Sequence, residues 1–269
     1  MGMLFDKIVL ARCHGIHGIG GTPRRHGDGY RRAGSSWRGW VSGWRFQVSG
    51  WRGRVARVFL LAGLLLPGVL LYSLRADAHP HAWIDLDITL VVEDTRLVAL
   101  EQTWIMDPLY SQYLYEDARA HFPGVNDQEK LQNLGNEILE NLREYDWYTL
   151  LYAGSMRVLG QPDSHGARLT LENQQLHFQF RLELAHPVNL QQTPVEYQIY
   201  DPTYFIEVLH SSTRPPRFSP PAQPCRIEIL RPRPDPAVVA QAMALDFNAT
   251  GDPQLGRHFA ERILLDCPA

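Results

Sequence analysis

From Ala82 to Leu90 every second residue is apolar. Ala82, Ile84, Leu86, Ile88 and Leu90 share one face of the string HAWIDLDITLVVED, and His81, Trp83, Asp85 and Asp87 share the other. A period of two marks an extended strand with one buried face. Such a strand needs sheet partners for its backbone groups and a second layer over its apolar side. RLVALEQTWIM, after a short acidic turn, reads as its hairpin partner; core packing is the default for Trp83 and Trp104, with pairing across the two strands as the alternative. DPLYSQYLYEDARAH then opens a helix, with Asp107 as cap and Pro108 at the first helical position. In NDQEKLQNLGNEILENLREYDW, Leu131, Leu134, Ile138, Leu139 and Leu142 recur at helical spacing, and Gly135 weakens that helix modestly.

After Tyr148 the pattern returns to short alternating runs: TLLYAGSMRVL, ARLTLEN, QLHFQFRLEL, VEYQIYD, YFIEVLH and PCRIEIL. SSTRPPRFSPPAQP reads as an exposed, proline-rich excursion, DPAVVAQAMALDF as a short helix, and HFAERILLDC as a closing segment that is partly strand. The expected fold is α+β: a mainly antiparallel, sandwich-like domain with a two-helix insertion near 108–145, occupying residues 79–269.

Upstream, the chain differs. Residues 1–57 hold Arg, Gly and Trp without apolar periodicity and read as a non-globular leader; a start codon at Val48 or Val55 is the simpler explanation of its length. Arg52, Arg54 and Arg57 precede VFLLAGLLLPGVLLY, and ADA follows at 76–78, a small-x-small cleavage pattern. The apolar run is shorter than the roughly 20 residues of a spanning helix, and Pro67 interrupts it. Residues 58–78 are therefore read as a signal peptide cut after Ala78, with periplasmic localisation; a retained membrane anchor is the alternative.

Cleavage would remove 12 basic and 3 acidic residues, leaving 14 basic and 26 acidic, a net charge of −12. That surface repels nucleic acid and anionic lipid and suits cations, so no nucleic acid and, once the chain is processed, no phospholipid is expected as a partner. Cys225 and Cys267 remain as an even pair, expected to form one disulfide in an oxidising compartment.

AHPHAWIDL, WIMDPLYSQYLYED, YDPTYFIEV and GRHFAERILLDC, in that order, resemble domain-of-unknown-function family 1007, which is also labelled the periplasmic component of an uncharacterised ABC-type transport system. The resemblance covers residues 79–269. It implies an exported Gram-negative protein associated with transition-metal uptake or efflux, and it carries over no activity.

The residues themselves suggest a metal. A cut after Ala78 frees the α-amine of His79, which titrates near pH 8 and joins its own imidazole in a two-nitrogen chelate. His81 falls on the same face of an extended chain, so two imidazoles and an amine can approach one zinc, copper or nickel ion. Pro80 lacks the N–H that a square-planar amide-nitrogen site requires. The other reading of HPH is the polar start of an edge strand. Asp107 and Asp201 each precede a proline at a strand end; they are expected as turn caps or, if the two ends meet, as oxygen ligands. His210, at the end of YFIEVLH, is the remote histidine candidate, with a surface histidine as the alternative. Lys130 is the single lysine after residue 78, and G-x-S-x-G, C-x-x-C and H-E-x-x-H are absent.

The function expected is a non-enzymatic periplasmic accessory protein that binds a transition metal in support of a membrane transporter. The alternative is a metal-free structural or interaction module of a transporter complex. A copper-dependent oxidative enzyme is a third reading, for which the sequence offers no open substrate surface.

Overall fold

The computed structural model describes residues 80–221, 225–245 and 252–268. The leader, the apolar run and His79 lie outside them. Twelve strands, β1 (Ala82–Glu93), β2 (Arg96–Met106), β3 (Thr149–Ala153), β4 (Met156–Val158), β5 (Gly160–Pro162), β6 (Arg168–Glu172), β7 (Gln175–Asn189), β8 (Val195–Ile199), β9 (Ile206–His210), β10 (Arg217–Ser219), β11 (Arg226–Leu230) and β12 (Arg262–Asp266), build two sheets. One sheet centres on β1–β2–β7, with β9 and β10 beside β1 and β5 and β6 beside β7; the other runs β11–β12–β8–β3–β4.

The alternation of β1 is realised in full. Ala82, Ile84, Leu86, Ile88 and Leu90 are all buried, in one core with Tyr197, Ile263 and Leu265 of the second sheet. Removing a large aliphatic side chain of this kind from water contributes on the order of 2 kcal/mol. The insertion is α1 (Pro108–His121) and α2 (Asp127–Leu142), and the five expected apolar residues of α2 are buried in the same core. Gly135 has a packing role: a Cβ there would come within 2.9 Å of the Leu169 Cβ, so glycine lets α2 approach β6 closely. A third helix, α3 (Pro236–Met243), is capped by Asp235. The fold is thus α+β, mainly antiparallel and two-layered, with a helical insertion, as the patterning indicated.

Three details differ from the sequence reading. First, β9 and β10 both pair parallel with β1, so the first sheet is mixed. Second, the proline-rich excursion is strapped to the sheet. It contains β10, Arg217 pairs with Asp87, and Arg214 lies 3.4 Å from both Asp85 and Asp87. Third, the two tryptophans do not pair. Trp104 opposes Leu86 and is fully buried, its indole N–H donating to Gln102 Oε1 at 2.9 Å. Trp83 has the opposite parity and is 49% exposed on the outer face.

Cys225 and Cys267 form the expected disulfide, at the end of the β11–β12 ladder. Among the described residues no helix is long and apolar enough to cross a membrane.

Candidate functional site

β1 and β9 run side by side, and candidate residues gather at both ends of that ladder. At its beginning the His81 N–H donates to the Phe205 carbonyl at 2.9 Å, and the His81 ring lies 5.0 Å from the Phe205 ring. Asp107 faces the same end. Its Oδ1 accepts from the N–H groups of Leu109 and Tyr110, capping α1, and its Oδ2 accepts from the Trp83 N–H at 3.0 Å.

Asp201 lies beneath, 3% exposed. Its Oδ1 accepts from the N–H and hydroxyl of Thr203, and its Oδ2 from the Ile206 N–H. Burial raises its pKa above the ordinary carboxyl value, against the pull of those hydrogen bonds. The Tyr110 and Tyr148 phenols are pushed well up, mainly by burial, with the Asp201 charge adding in both and the Asp107 charge in Tyr110. Both carboxylates act as caps, Asp107 of α1 and Asp201 of the turn that leads into β9.

The chain's closing segment holds this corner. Gly256 donates its N–H to the Pro202 carbonyl, and a Cβ on it would fall 1.8 Å from the Asp201 carbonyl oxygen, so only glycine fits. Tyr204, at φ 60°, stacks on Phe259 with ring centres 3.8 Å apart. This contact explains why DPTY and GRHF, far apart in sequence, belong to one structural unit.

His210 is elsewhere. It pairs with Leu86 while Ile206 pairs with Ala82, which puts it about 13 Å further along the ladder at ~3.3 Å per residue. The expectation of a surface histidine is overturned, because its side chain is 3% exposed. Its backbone N–H donates to Glu261 Oε2 at 2.8 Å, its ring Nδ1 lies 2.8 Å from the same oxygen, and its Nε2 lies 3.2 Å from the Tyr197 hydroxyl. Burial opposes the Glu261 charge, but the two His210 bonds and the neighbouring His210 and Arg231 charges prevail and hold the carboxyl below its usual range. Burial, with the Glu261 charge, pushes the Tyr197 phenol well up. This tie joins β9 in one sheet to β8 and the start of β12 in the other.

Sequence reasoning missed Glu261 and Tyr197, yet the parity was present. His210 shares the inward face of Ile206 and Val208, and Glu261 that of Ile263 and Leu265. A polar residue at an inward position calls for a buried partner.

The chemistry of the donor set follows. Asp107 and Asp201 spend their oxygens on backbone and hydroxyl donors, and His210 has both ring nitrogens engaged. Among the described residues no group of three or more His, Cys, Asp or Glu is placed to hold a metal ion. The histidines at 121, 165 and 177 each sit beside one acid: Asp117, Asp163 and Glu172. The other expected ligand in the described residues, His81, is held by its N–H on the Phe205 carbonyl and its ring against the Phe205 ring. A polar groove of about 920 Å³, lined in part by Thr103, Arg168 and Gln179, contains none of the expected site residues.

The chain matches the family described as "Protein of unknown function (DUF1007)" over residues 64–267 and belongs to it. It is also similar to an uncharacterized protein of Haemophilus influenzae, 29% identical over 211 residues that cover 77% of this chain and 97% of the relative. No solved structure matches it.

Proposed function

We propose that this chain is an exported, periplasmic accessory protein that binds one transition-metal ion, zinc, copper or nickel, through its His79–Pro80–His81 terminus, in support of a membrane transporter. The observation that carries the reading is the pinning of His81. Its N–H is bonded to Phe205 and its ring rests on the Phe205 ring, so the residue after Pro80 enters β1 in a fixed orientation. A donor on a pre-set backbone loses little freedom on binding a partner. The His79 amine and imidazole, with the His81 imidazole, would form the ligand set, and imidazole–amine donors suit these ions. Asp107 and Asp201 fix the strand ends on which that terminus sits, and His210 takes no part. The bound ion would supply a cargo or signal for transport, not a reaction centre.

The test is amino-terminal sequencing and intact mass of untagged protein from the periplasm, with metal content from the same sample. A start at His79 with about one equivalent of metal, lost in His79→Ala and in His81→Ala, is expected. A different mature start, or no metal after reconstitution, would end this reading and leave the interaction-module alternative.

A further inference from the structure

Between α2 and β3 the backbone takes a form that side chains rarely adopt. Asp146, Trp147 and Tyr148 all have positive φ, at 49°, 51° and 56°, and none is glycine. The left-handed region crowds each Cβ against the backbone, so such a run persists only where neighbours over-determine it. Here they do. The Trp147 indole N–H donates to the Leu139 carbonyl at 3.1 Å, the Thr149 hydroxyl donates to the Trp147 carbonyl at 3.0 Å, and Arg157 pairs with Asp146. The strained turn sets Trp147 in the wall of a cavity of about 620 Å³, with Asn136, Gln161 and Pro162 also lining it. That cavity and the polar groove of about 920 Å³ share Asp163 and Gly166, so they adjoin as one elongated depression.

The lining specifies a ligand through its charges and its amides. Most charged side chains there are already matched: Glu140 with Arg143 at 2.6 Å, Glu101 with Arg181 at 2.8 Å, and Asp163 with the N–H and ring of His165. Arg168 differs, for it meets no carboxylate among the described residues. It stands opposite Gln179, which stands opposite Thr103, so the three side chains form a row across β6, β7 and β2. Gln128 and Gln132 of α2 donate their amide N–H groups to the Leu169 and Ala167 carbonyls at 2.9 and 2.6 Å. Those bonds fix both side chains and leave the amide oxygens as acceptors. Gln132 also donates to Asn136 Oδ1 at 3.0 Å, which leaves the Asn136 amide N–H groups as donors.

We propose that this depression binds a linear oligosaccharide carrying one carboxylate. A sugar ring has an apolar C–H face, suited to Trp147 and Pro162, and a rim of hydroxyls that both donate and accept, suited to fixed amides. Arg168 takes the carboxylate through two parallel N–H bonds. Each volume falls within the roughly 300–1,000 Å³ of small-ligand sites, and two in line call for a chain, not a single ring. A nucleotide or polyphosphate fits poorly, because one unmatched cation leaves most of its charge without a partner. The site shares no residue with the His79–Pro80–His81 terminus, and sugar binding on metal-free protein tests it independently of the metal reading.

The experiment uses the protein in the form cells accumulate, stripped of metal with EDTA, in calorimetric titrations. The ligands are aldotetraouronic acid, a xylotriose bearing one uronic carboxylate, and its uncharged counterpart xylotetraose. The acid is expected to bind with a Kd below about 1 mM, at least about fivefold tighter than xylotetraose. Arg168→Gln, at an exposed position that leaves the fold intact, should erase that preference and keep xylotetraose binding within about twofold. Either sugar should shift the tryptophan emission, and the shift should vanish in Trp147→Phe; should that variant fail to fold, the Arg168→Gln result decides alone. Absence of binding by both sugars, equal affinity for the two, a preference that survives Arg168→Gln, or an uncharged tetrapeptide that binds as tightly would overturn the proposal.

Discussion

His81 and His210 stand at opposite ends of one two-strand ladder and differ in almost every physical respect. His81 is half-buried at the point where the chain enters β1, with its backbone fixed and its ring against an aromatic face. His210 is buried between two sheets, with its N–H and both ring nitrogens committed to Glu261 and Tyr197. Residue type made both candidate ligands. Partners and place separate them: His210, between a carboxylate and a phenol, is a structural cross-tie, whereas His81 stands at the entry to β1, where the proposed metal site lies.

The comparison breaks most easily at the cross-tie. Glu261→Ala strands the His210 ring and N–H in the core and is expected to cost about 4 kcal/mol in urea denaturation. Glu261→Gln should cost less and carry a pH signature. The wild-type carboxyl, held below its ordinary 4.5, stabilises the fold fully above that value and loses the contribution as pH falls through its lowered folded pKa, so the variant's deficit shrinks in acid. At the other end Gly256→Ala drives a methyl into the Asp201 carbonyl and should cost about 3 kcal/mol, read as a lowered melting temperature.

Asp201→Asn should cost about 2 kcal/mol through its turn and strand donors, with the opposite pH trend. Its folded pKa is raised above 3.8, so its contribution is complete below that value and declines as pH rises through the folded pKa; this deficit is largest in acid. Opposite slopes for Glu261→Gln and Asp201→Asn in one pH series would sharpen the contrast, and parallel slopes would break it. The smallest effect belongs to His81→Ala, within about 0.5 kcal/mol of wild type because its backbone bond to Phe205 survives the substitution, while the metal binding proposed above is expected to be lost.

Much of the fold was legible because period and punctuation are local. The one-sided β1, the capped α1, the apolar stripe of α2 and the later strands follow from residues a few positions apart. The pairing of Cys225 with Cys267 was legible by counting. The parallel additions of β9 and β10 to β1 were not, because nothing local distinguishes parallel from antiparallel partners. Trp83 and Trp104 show the same limit. Each lies on a strand of one hairpin, but register decides the face, and register places one inside and one outside.

The sequence by itself determined where the domain begins to pattern as sheet, which residues face inward and which chemistry stands at its start, since side-chain alternation and residue type are properties of the chain alone. Tertiary structure alone decided that Asp107 reaches the Trp83 N–H, that Gly256 closes over Asp201, and that Glu261 and Tyr197 hold His210. Those pairings join residues more than ten positions apart, and only packing two sheets and a helical insertion around one core brings them together.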